Sequence, residues 1–234
     1  CKALQSIHIP NSITDIGRNP FAACPQLRLT SDNPHFRVIN GLLISSDGTL
    51  ISCLSKDIHI NIPNSVTHIG DDAFRGCEDI GSINIPNSVT HIGDFAFWGC
   101  SSLQSINIPN SVTHIGNYAF RECEALQNIN IPNSVTHIGN DTFRDCKVLQ
   151  NINIPNSVTH IGDSAFSGCC SLQSVNIPNS VTHIGDDTLF IDALFIDYVF
   201  DGCYALQTIN IPKGSMAKFM QLLPEGLHNK LVEI

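Results

Sequence analysis

Positive charge is scarce in this 234-residue sequence: 12 residues are Lys or Arg, against 21 Asp and Glu, so the formal net charge is −9. The basic residues are scattered, and no cluster of them forms the patch that nucleic-acid binding requires. The same shortage disfavours an anionic membrane surface as a partner. No run of about 18 apolar residues occurs, so we expect no insertion into a membrane.

Catalytic and metal-binding motifs are also lacking. The sequence has no GxSxG, no P-loop, no GxGxxG, no HExxH and no pair of CxxC motifs. A catalytic site requires a singular constellation, whereas nearly every polar residue here has several equivalents. We therefore predict that the protein is not an enzyme, and we predict neither a catalytic residue nor a cofactor. Residue 1 is a Cys without a basic leader before it, so we expect a mature or truncated piece.

A nine-residue sequence, IPNSVTHIG, recurs letter for letter at 62–70, 85–93, 108–116, 131–139, 154–162 and 177–185. Its copies follow at a period of 23 residues, except for irregular stretches near the two ends. A period between about 20 and 50 residues is typical of a solenoid. No single copy can bury its own Leu, Ile, Val and Phe, but stacked copies can.

One unit, LQSINIPNSVTHIGNYAFRECEA at 103–125, predicts the structure of a turn. Ile106 and Ile108 alternate with polar residues, which indicates a half-buried strand that ends at Pro109. VTHIG predicts a short second strand. Asp or Asn follows Gly116 and its equivalents as an expected N-cap, and AFREC then predicts one helical or 3₁₀ turn.

Stacking at a strand spacing of about 4.8 Å would align identical residues in files. Phe74, Phe97, Phe120, Phe143 and Phe166 would form a phenylalanine spine. Eight cysteines would form a column of free, buried thiols, because buried Cys packs as a small apolar residue: Cys1, Cys24, Cys77, Cys100, Cys123, Cys146, Cys169 and Cys203. Cys170 must point elsewhere, and we expect it to be the most reactive thiol.

The unit resembles the 23-residue Treponema-type leucine-rich repeat of BspA-like proteins, with the pattern LxxIxIPxxVxxIGxxAFxxC, over residues 1–29 and 57–212. The resemblance implies a β-rich (α/β) solenoid. It would be an arc with one strand per turn on the concave face, and with a short second strand and a helical turn on the convex side. It also implies a bacterial, usually surface-exposed module that binds proteins or matrix. We therefore expect a secreted or cell-surface location, while a cytoplasmic one stays open.

The expected domains are a solenoid at 1–212 and a C-terminal cap at 213–234, which resembles the cap of such proteins from gut Bacteroidetes. An insertion at about 30–56 contains two alternating runs around Asp47-Gly48, which predicts a hairpin. It is either a decorated repeat within a continuous solenoid or a projecting contact arm. Residues 215–223 predict a capping helix with Met216, Phe219, Met220 and Leu223 on one face.

A second insertion, TLFIDALFIDY at 188–198, is too apolar for an ordinary loop. It either packs against the solenoid or its cap, or forms a patch for a protein partner. The patch residues would be Leu189, Phe190, Ile191, Leu194, Phe195, Ile196 and Tyr198.

One histidine per copy would form a file about 5 Å apart: His68, His91, His114, His137, His160 and His183. A straight file offers at most two neighbouring ligands, whereas zinc needs three or four that converge, so we predict no metal site. Calcium is also disfavoured, because the Asp residues lack the dense alternation of an EF-hand loop. Like charges at this spacing disfavour protonation, so we expect lowered pKa values.

The polar side chains of the first strands would line one broad, amide-rich face. Its residues are Ser82, Asn84, Ser105, Asn107, Asn128, Asn130, Asn151, Asn153, Ser174, Asn176, Thr208 and Asn210. Such a face suits recognition of a protein or a glycan through many modest hydrogen bonds, or it merely keeps the sheet soluble. Two functions follow: a protein-binding or adhesion module, or a structural spacer that contacts its partners through 188–198.

Overall fold

The computed structural model describes residues 3–22, 24, 26–185 and 199–234. The chain winds into a parallel β-solenoid of about nine turns, as the repeat predicts. Each regular turn contributes one three-residue strand and one two-residue strand to two separate files. The 23-residue period therefore becomes one revolution of the chain.

The strands follow one another along the chain, and one α-helix and one 3₁₀ helix, the latter at Glu225–Lys230, lie near the C-terminus of the described residues. They are β1 Ser6–Ile9, β2 Arg28–Ser31, β3 Phe36–Ile39, β4 Leu42–Ser45, β5 Thr49–Cys53, β6 His59–Asn61, β7 His68–Ile69, β8 Ser82–Asn84, β9 His91–Ile92, β10 Ser105–Asn107, β11 His114–Ile115, β12 Asn128–Asn130, β13 His137–Ile138, β14 Asn151–Asn153, β15 His160–Ile161, β16 Ser174–Asn176, β17 His183–Ile184, β18 Thr208–Ile211, α1 Met216–Leu222 and β19 Leu231–Glu233.

The first file of strands consists of parallel pairs in exact repeat register. In the middle of the chain Ile83, Ile106 and Ile129 lie side by side and are buried, while the residues on either side of each Ile face outward. Pro109 follows β10 closely and donates no backbone hydrogen bond, so each strand stays short. The alternation in the sequence thus fixes which side chains enter the core.

The predicted helical turn after each second strand is wrong. Residues such as Asp72 and Phe95 have φ of 57°, in the left-handed region that a right-handed helix excludes. Every second N–H group here bonds to the next turn: Asp72 donates to the Asp94 carbonyl at 2.9 Å, and Phe74 donates to the Ala96 carbonyl at 2.7 Å. The N–H groups between them bond within the turn, as Arg75 does to the Asp72 carbonyl at 2.9 Å. These bonds form a third backbone ladder, so each turn is tied to the next on three sides.

The predicted N-cap role of the Asp and Asn after each Gly is also wrong. From Asp71 to Asn140, each carboxylate or amide oxygen accepts a hydrogen bond from the backbone N–H of the equivalent residue one turn along. The Asp94 N–H donates to Asp71 Oδ1 at 2.9 Å, and the Asn117 N–H donates to Asp94 Oδ1 at 2.7 Å. These side chains therefore join turns together, and they do not start helices.

The phenylalanine spine is present, and its five predicted rings are fully buried. Successive ring centroids from Phe74 to Phe166 lie 5.1–5.6 Å apart, with interplanar angles of 20° or less, and Phe200 extends the stack. The described cysteines from Cys100 to Cys169 at the repeat position are free thiols, as predicted, and fully buried. Cys1 lies outside the described residues.

The thiols of the column from Cys100 to Cys203 also have partners that the sequence did not indicate. The Cys123 Sγ–H donates to the Phe97 carbonyl at 3.2 Å, and the Cys146 Sγ–H donates to the Phe120 carbonyl at 3.3 Å. Equivalent bonds join Cys100, Cys169 and Cys203 to the Phe carbonyl of the preceding turn. Burial raises the pKa of the Cys123 and Cys146 thiols well above the ordinary value.

The insertion after β2 is a three-stranded antiparallel meander of β3, β4 and β5. The hairpin predicted around Asp47-Gly48 joins β4 to β5. A second tight turn at Asn40-Gly41, with φ of 50° and 76°, joins β3 to β4, and it follows from an Asn-Gly signal that we overlooked. Because β5 pairs in parallel with β7, the meander extends the sheet of second strands. This pairing favours the decorated repeat over a projecting arm.

The C-terminal part closes the open end of the solenoid. The Phe219 ring of α1 is fully buried in the main core, and β19 pairs in parallel with β18. Met220 is 46% exposed, so the prediction that it shares the buried face with Phe219 is wrong. Leu223, the fourth of these apolar positions, is buried in the main core together with Phe219.

Both strand files are interrupted near the middle of the molecule. Strand pairing is lost between β11 and β13 in one file and between β12 and β14 in the other. The third ladder continues across the same turns, because the Phe120 N–H donates to the Thr142 carbonyl at 2.9 Å and the Phe143 N–H donates to the Ala165 carbonyl at 2.8 Å. Around residues 126–148 the turns are therefore held together mainly on the side of this ladder.

Candidate interaction surfaces

The first candidate surface is the amide face, defined as the outward Ser, Thr and Asn side chains of the first strands listed above. Parallel register places Asn107 beside Asn84 and Asn130, and Asn153 beside Asn176. The structure thus brings the predicted residues into aligned files, with the interruption between β12 and β14 separating two groups. Most of these side chains are exposed.

Hydrogen bonding along the amide face differs between its ends and its middle. At the ends the amides pair with each other: Asn210 Nδ2 donates to Asn176 Oδ1 at 2.8 Å, and Asn84 Nδ2 donates to Asn61 Oδ1 at 3.5 Å. In the part of the chain that the structure describes, the side chains of Asn107, Asn130 and Asn153 make no hydrogen bond. Those central amides retain their full capacity to bind a ligand.

The second surface is the histidine file. The rings of His68 and His91 stack at 4.8 Å, and those of His160 and His183 stack at 4.3 Å with an interplanar angle of 5°. In five of the six copies the Nδ1 atom lies 2.7–2.9 Å from the hydroxyl of the preceding Thr. The hydroxyl fixes the orientation of these five rings. Nε2 is the ring nitrogen that does not contact it.

The two histidines with a neighbouring ring contact on both sides have lowered pKa values. Burial lowers the pKa of His91, and the charges of His68 and His114 lower it further. Burial likewise lowers the pKa of His160, with smaller effects from His137 and His183. The expected direction is confirmed at these two positions, although desolvation is a larger cause than the charge repulsion that we invoked.

An open groove of about 460 Å³ runs beside the second half of the histidine file, across the interruption between β11 and β13. Thr, His, Gly and Asn residues from four turns line it, including His114, His137 and His160. Within the described ranges, no group of three or more His, Cys, Asp or Glu side chains could hold a metal ion. The rings stack face to face, and their nitrogens do not converge on a point.

The third surface was missed by sequence reasoning. It is a ring column of three half-buried aromatic side chains and the three guanidinium groups that contact their rings: Phe95, Trp98, Tyr118, Arg18, Arg75 and Arg121. The available signal was the departure from the repeat, because Asp or Ser replaces Phe95 and Tyr118 in the other regular copies.

The apolar patch predicted from Leu189 to Tyr198 lies outside the described residues. In the described ranges, no helix is long and apolar enough to cross a membrane.

Sequence comparison gives the same family as the repeat pattern. The chain matches, in six copies, the family model described as "BspA type Leucine rich repeat region", over residues 1–41, 49–169 and 115–221. No curated protein is similar to it at a significant level.

Solved structures of bacterial leucine-rich repeat proteins share the fold. A leucine rich cell surface protein from Faecalibacterium prausnitzii A2-165 is 31% identical, with a TM-score of 0.63, over 94% of this chain and 51% of its own. A leucine-rich repeat protein from Eubacterium ventriosum is 26% identical, with a TM-score of 0.77, over 89% of this chain and 55% of its own. A leucine rich repeat protein from T. pallidum is 26% identical, with a TM-score of 0.63, over 81% of this chain and 93% of its own. The chain spans about half the length of the first two.

Proposed function

The chain belongs to the BspA-type leucine-rich repeat family, and on that premise we propose that it is a non-catalytic module that binds proteins in adhesion. We further propose that it works at the surface of a bacterial cell or outside it. The similarity to a leucine rich cell surface protein supports this location. The partner would be a host or matrix protein, or another component of its own assembly.

One observation carries the proposed binding role: amides without a hydrogen-bond partner at the centre of the amide face. The side chains of Asn107, Asn130 and Asn153 project from short strands whose backbone is fixed by pairing. Each amide offers two donors and one acceptor oxygen. A surface of this kind forms many modest hydrogen bonds without reorganising, which limits the entropic cost of binding.

Substitution of the three central amides tests this role. Asn107, Asn130 and Asn153 would be changed together to Ser, which occupies neighbouring strands at Ser105 and Ser174. Surface plasmon resonance measures the affinity for a panel of purified matrix proteins, with serum albumin as the negative control. We expect binding to a panel member to weaken at least tenfold. Unchanged binding by a folded variant would remove the amide face from the proposal.

A second candidate function is a structural spacer or scaffold, and the uniformity of the amide face favours it. The side chains of Asn84, Asn107 and Asn130 are identical, whereas a specific site normally varies from turn to turn. In this reading the partner contacts come from the apolar sequence at 188–198. Deletion of 188–198 separates the two functions: it abolishes partner binding by a spacer and leaves binding through the amide face intact.

A further inference from the structure

Cys53 stands where the phenylalanine spine would otherwise begin. Its backbone N–H donates to the Ala73 carbonyl at 2.8 Å, just as the Phe74 N–H donates to the turn that follows it at 2.7 Å. The Cys53 carbonyl accepts a hydrogen bond from the Cys77 Sγ–H at 3.8 Å. The Phe74 carbonyl accepts one from the Cys100 Sγ–H in the same way, at 3.2 Å. Cys53 therefore occupies the repeat position of a spine phenylalanine.

A cavity of about 450 Å³ lies beside Cys53, where a thiol stands in place of a phenyl ring. Cys53, Cys77 and Cys24 all line it. Lys56, which is exposed, also lines it, so the cavity opens to solvent. Cys77 is half-buried, whereas the thiols from Cys100 to Cys169 are fully buried. A small molecule can therefore reach Cys53 and Cys77, but not those deeper thiols.

The Cys53 and Cys77 thiols differ in acidity because they are hydrogen-bonded to each other. The hydrogen bond with Cys77 lowers the pKa of Cys53, although burial opposes this effect. The Ser55 backbone N–H and the Lys56 charge lower the pKa further, whereas the Asp57 charge raises it. The same hydrogen bond, together with burial, raises the pKa of Cys77. The thiolate is the nucleophilic form of Cys, so Cys53 is the attacking thiol of the pair.

We propose that Cys53 and Cys77 form a dithiol site that reacts with small-molecule disulfides and closes into an intramolecular disulfide. The Cys53 thiolate attacks one sulfur of a disulfide RSSR, so a mixed disulfide forms on Cys53 and one RS⁻ leaves. The Cys53 charge is then gone, and Cys77 can lose its proton. The Cys77 thiolate attacks the Cys53 Sγ, the bond between the two Sγ atoms forms, and the second RS⁻ leaves.

The reaction is balanced by its two products. The two protein thiols are oxidised to one disulfide, RSSR is reduced to two RSH, and the protons of Cys53 and Cys77 end on the released thiols. The oxidant is therefore the small disulfide itself. This inference goes beyond the proposed binding function and does not depend on it.

A second hydrogen-bonded thiol pair supplies an internal control. The hydrogen bond with Cys203, together with burial, raises the pKa of Cys169 well above the ordinary value. Cys169 is fully buried, and neither Cys169 nor Cys203 lines the cavity beside Cys53. We expect this pair to stay reduced under conditions that oxidise Cys53 and Cys77. The comparison separates access and acidity from mere proximity of two thiols.

The experiment uses the folded chain with Cys170→Ser, because Cys170 is exposed and would react first. Native protein is incubated with bis(hydroxyethyl) disulfide, remaining thiols are alkylated in acid-quenched samples, and peptides are mapped by mass spectrometry. We expect a cross-linked peptide that joins Cys53 to Cys77, formed more slowly than Cys170 reacts in the wild type, because the pair lies inside the cavity. The urea midpoint should rise, since the bond joins residues 24 apart and restricts the unfolded chain.

Three variants assign the roles of the two thiols. Cys53→Phe installs the residue that the repeat has at this position, and Cys53→Ser keeps the volume small. Both should slow the modification of Cys77 about tenfold or more, because its own pKa is raised. Cys77→Ser should stop the reaction at a mixed disulfide on Cys53. Circular dichroism and a thermal melt check the fold, and Cys77→Ser alone decides the order of attack if both Cys53 variants unfold.

Several results would overturn the assignment. A cross-link that forms only in denatured protein would show that the cavity does not admit the disulfide. A bond from Cys24 to either thiol would assign the cavity to a different pair. Modification of Cys77 at the wild-type rate in Cys53→Ser, or no mixed disulfide on Cys53 in Cys77→Ser, would remove Cys53 as the attacking thiol. Equal oxidation of Cys169 and Cys203 would show that the site is not selective.

Discussion

The phenylalanine spine permits a graded prediction of stability. Phe74 and Phe120 are both fully buried, so replacing either ring with Ala removes a similar apolar area and leaves a cavity. In protein cores such changes reduce the free energy of unfolding by about 3–5 kcal/mol. We expect both Phe74→Ala and Phe120→Ala to fall in that range.

Ring stacking makes the expected losses of stability at Phe74 and Phe120 different. Phe120 stacks on Phe97 at 5.1 Å and on Phe143 at 5.6 Å. Phe74 stacks only on Phe97, at 5.1 Å, among the described aromatic rings. An aromatic pair contributes about 0.5–1.5 kcal/mol beyond its burial. Phe120→Ala should therefore cost about that much more than Phe74→Ala.

Urea unfolding followed by far-ultraviolet circular dichroism measures both losses, provided that the slope of the transition stays constant. The matched control is Met220→Ala, because this side chain is 46% exposed and its loss should change the free energy of unfolding by about 0.5 kcal/mol or less. A loss below about 1 kcal/mol at Phe120 would refute the reasoning, since it would mean that adjacent turns collapse into the cavity.

Three further predictions concern the histidine file, the thiols and the tight contacts between turns. Because the folded-state pKa values of His91 and His160 are lowered, the unfolded chain binds more protons, so the melting temperature should fall as pH drops through about 6.5, the ordinary pKa of His. A thiol reagent should label the exposed Cys170 quickly in native protein, and it should label the buried column only after denaturation. Gly116→Ala should destabilise the fold by about 1–3 kcal/mol, because its Cβ would lie 2.6 Å from the Asp94 backbone N, whereas Gly226→Ala has open space.

Each of these has its own control. Changing His91 and His160 to Gln should make the melting temperature depend less on pH between pH 7.5 and 5.5. If the dependence on pH is unchanged in this variant, it arises from carboxylates. Rapid native labelling of several thiols would contradict a closed column. Equal stability of the Gly116→Ala and Gly226→Ala variants would show that adjacent turns are looser at Gly116 than the 2.6 Å contact indicates.

Much of the fold could be predicted because the sequence that specifies it repeats at a fixed period. A 23-residue repeat forces equivalent residues to superpose, so Phe120 must lie between Phe97 and Phe143 once the copies stack. The alternation around Ile106 fixes the inward side of the first strand. The Asn40-Gly41 turn also follows from the sequence, because Asn-Gly between two apolar runs is a strong hairpin signal.

The turns after the second strands could not be predicted in the same way. AFREC has the local composition of a helical turn, and an Asp or Asn before it is a normal N-cap. Local preference was overridden because stacked turns offer every second N–H a carbonyl on the next turn, as for Phe74 and Ala96. The left-handed φ at Asp72 follows from this arrangement. A bond between turns depends on their spacing in three dimensions, which no single copy encodes.

The candidate surfaces, too, could be predicted from the sequence only in part. By itself the sequence determined the solenoid, its spine and the aligned files of Asn and His, because identical side chains at a fixed period must align. Only the tertiary structure decided that the central amides are free of partners and that Arg18 reaches the Phe95 ring at 5.4 Å. Those contacts join residues that break the repeat, so periodicity carries no information about them. Their geometry is set by how closely one turn lies on the next.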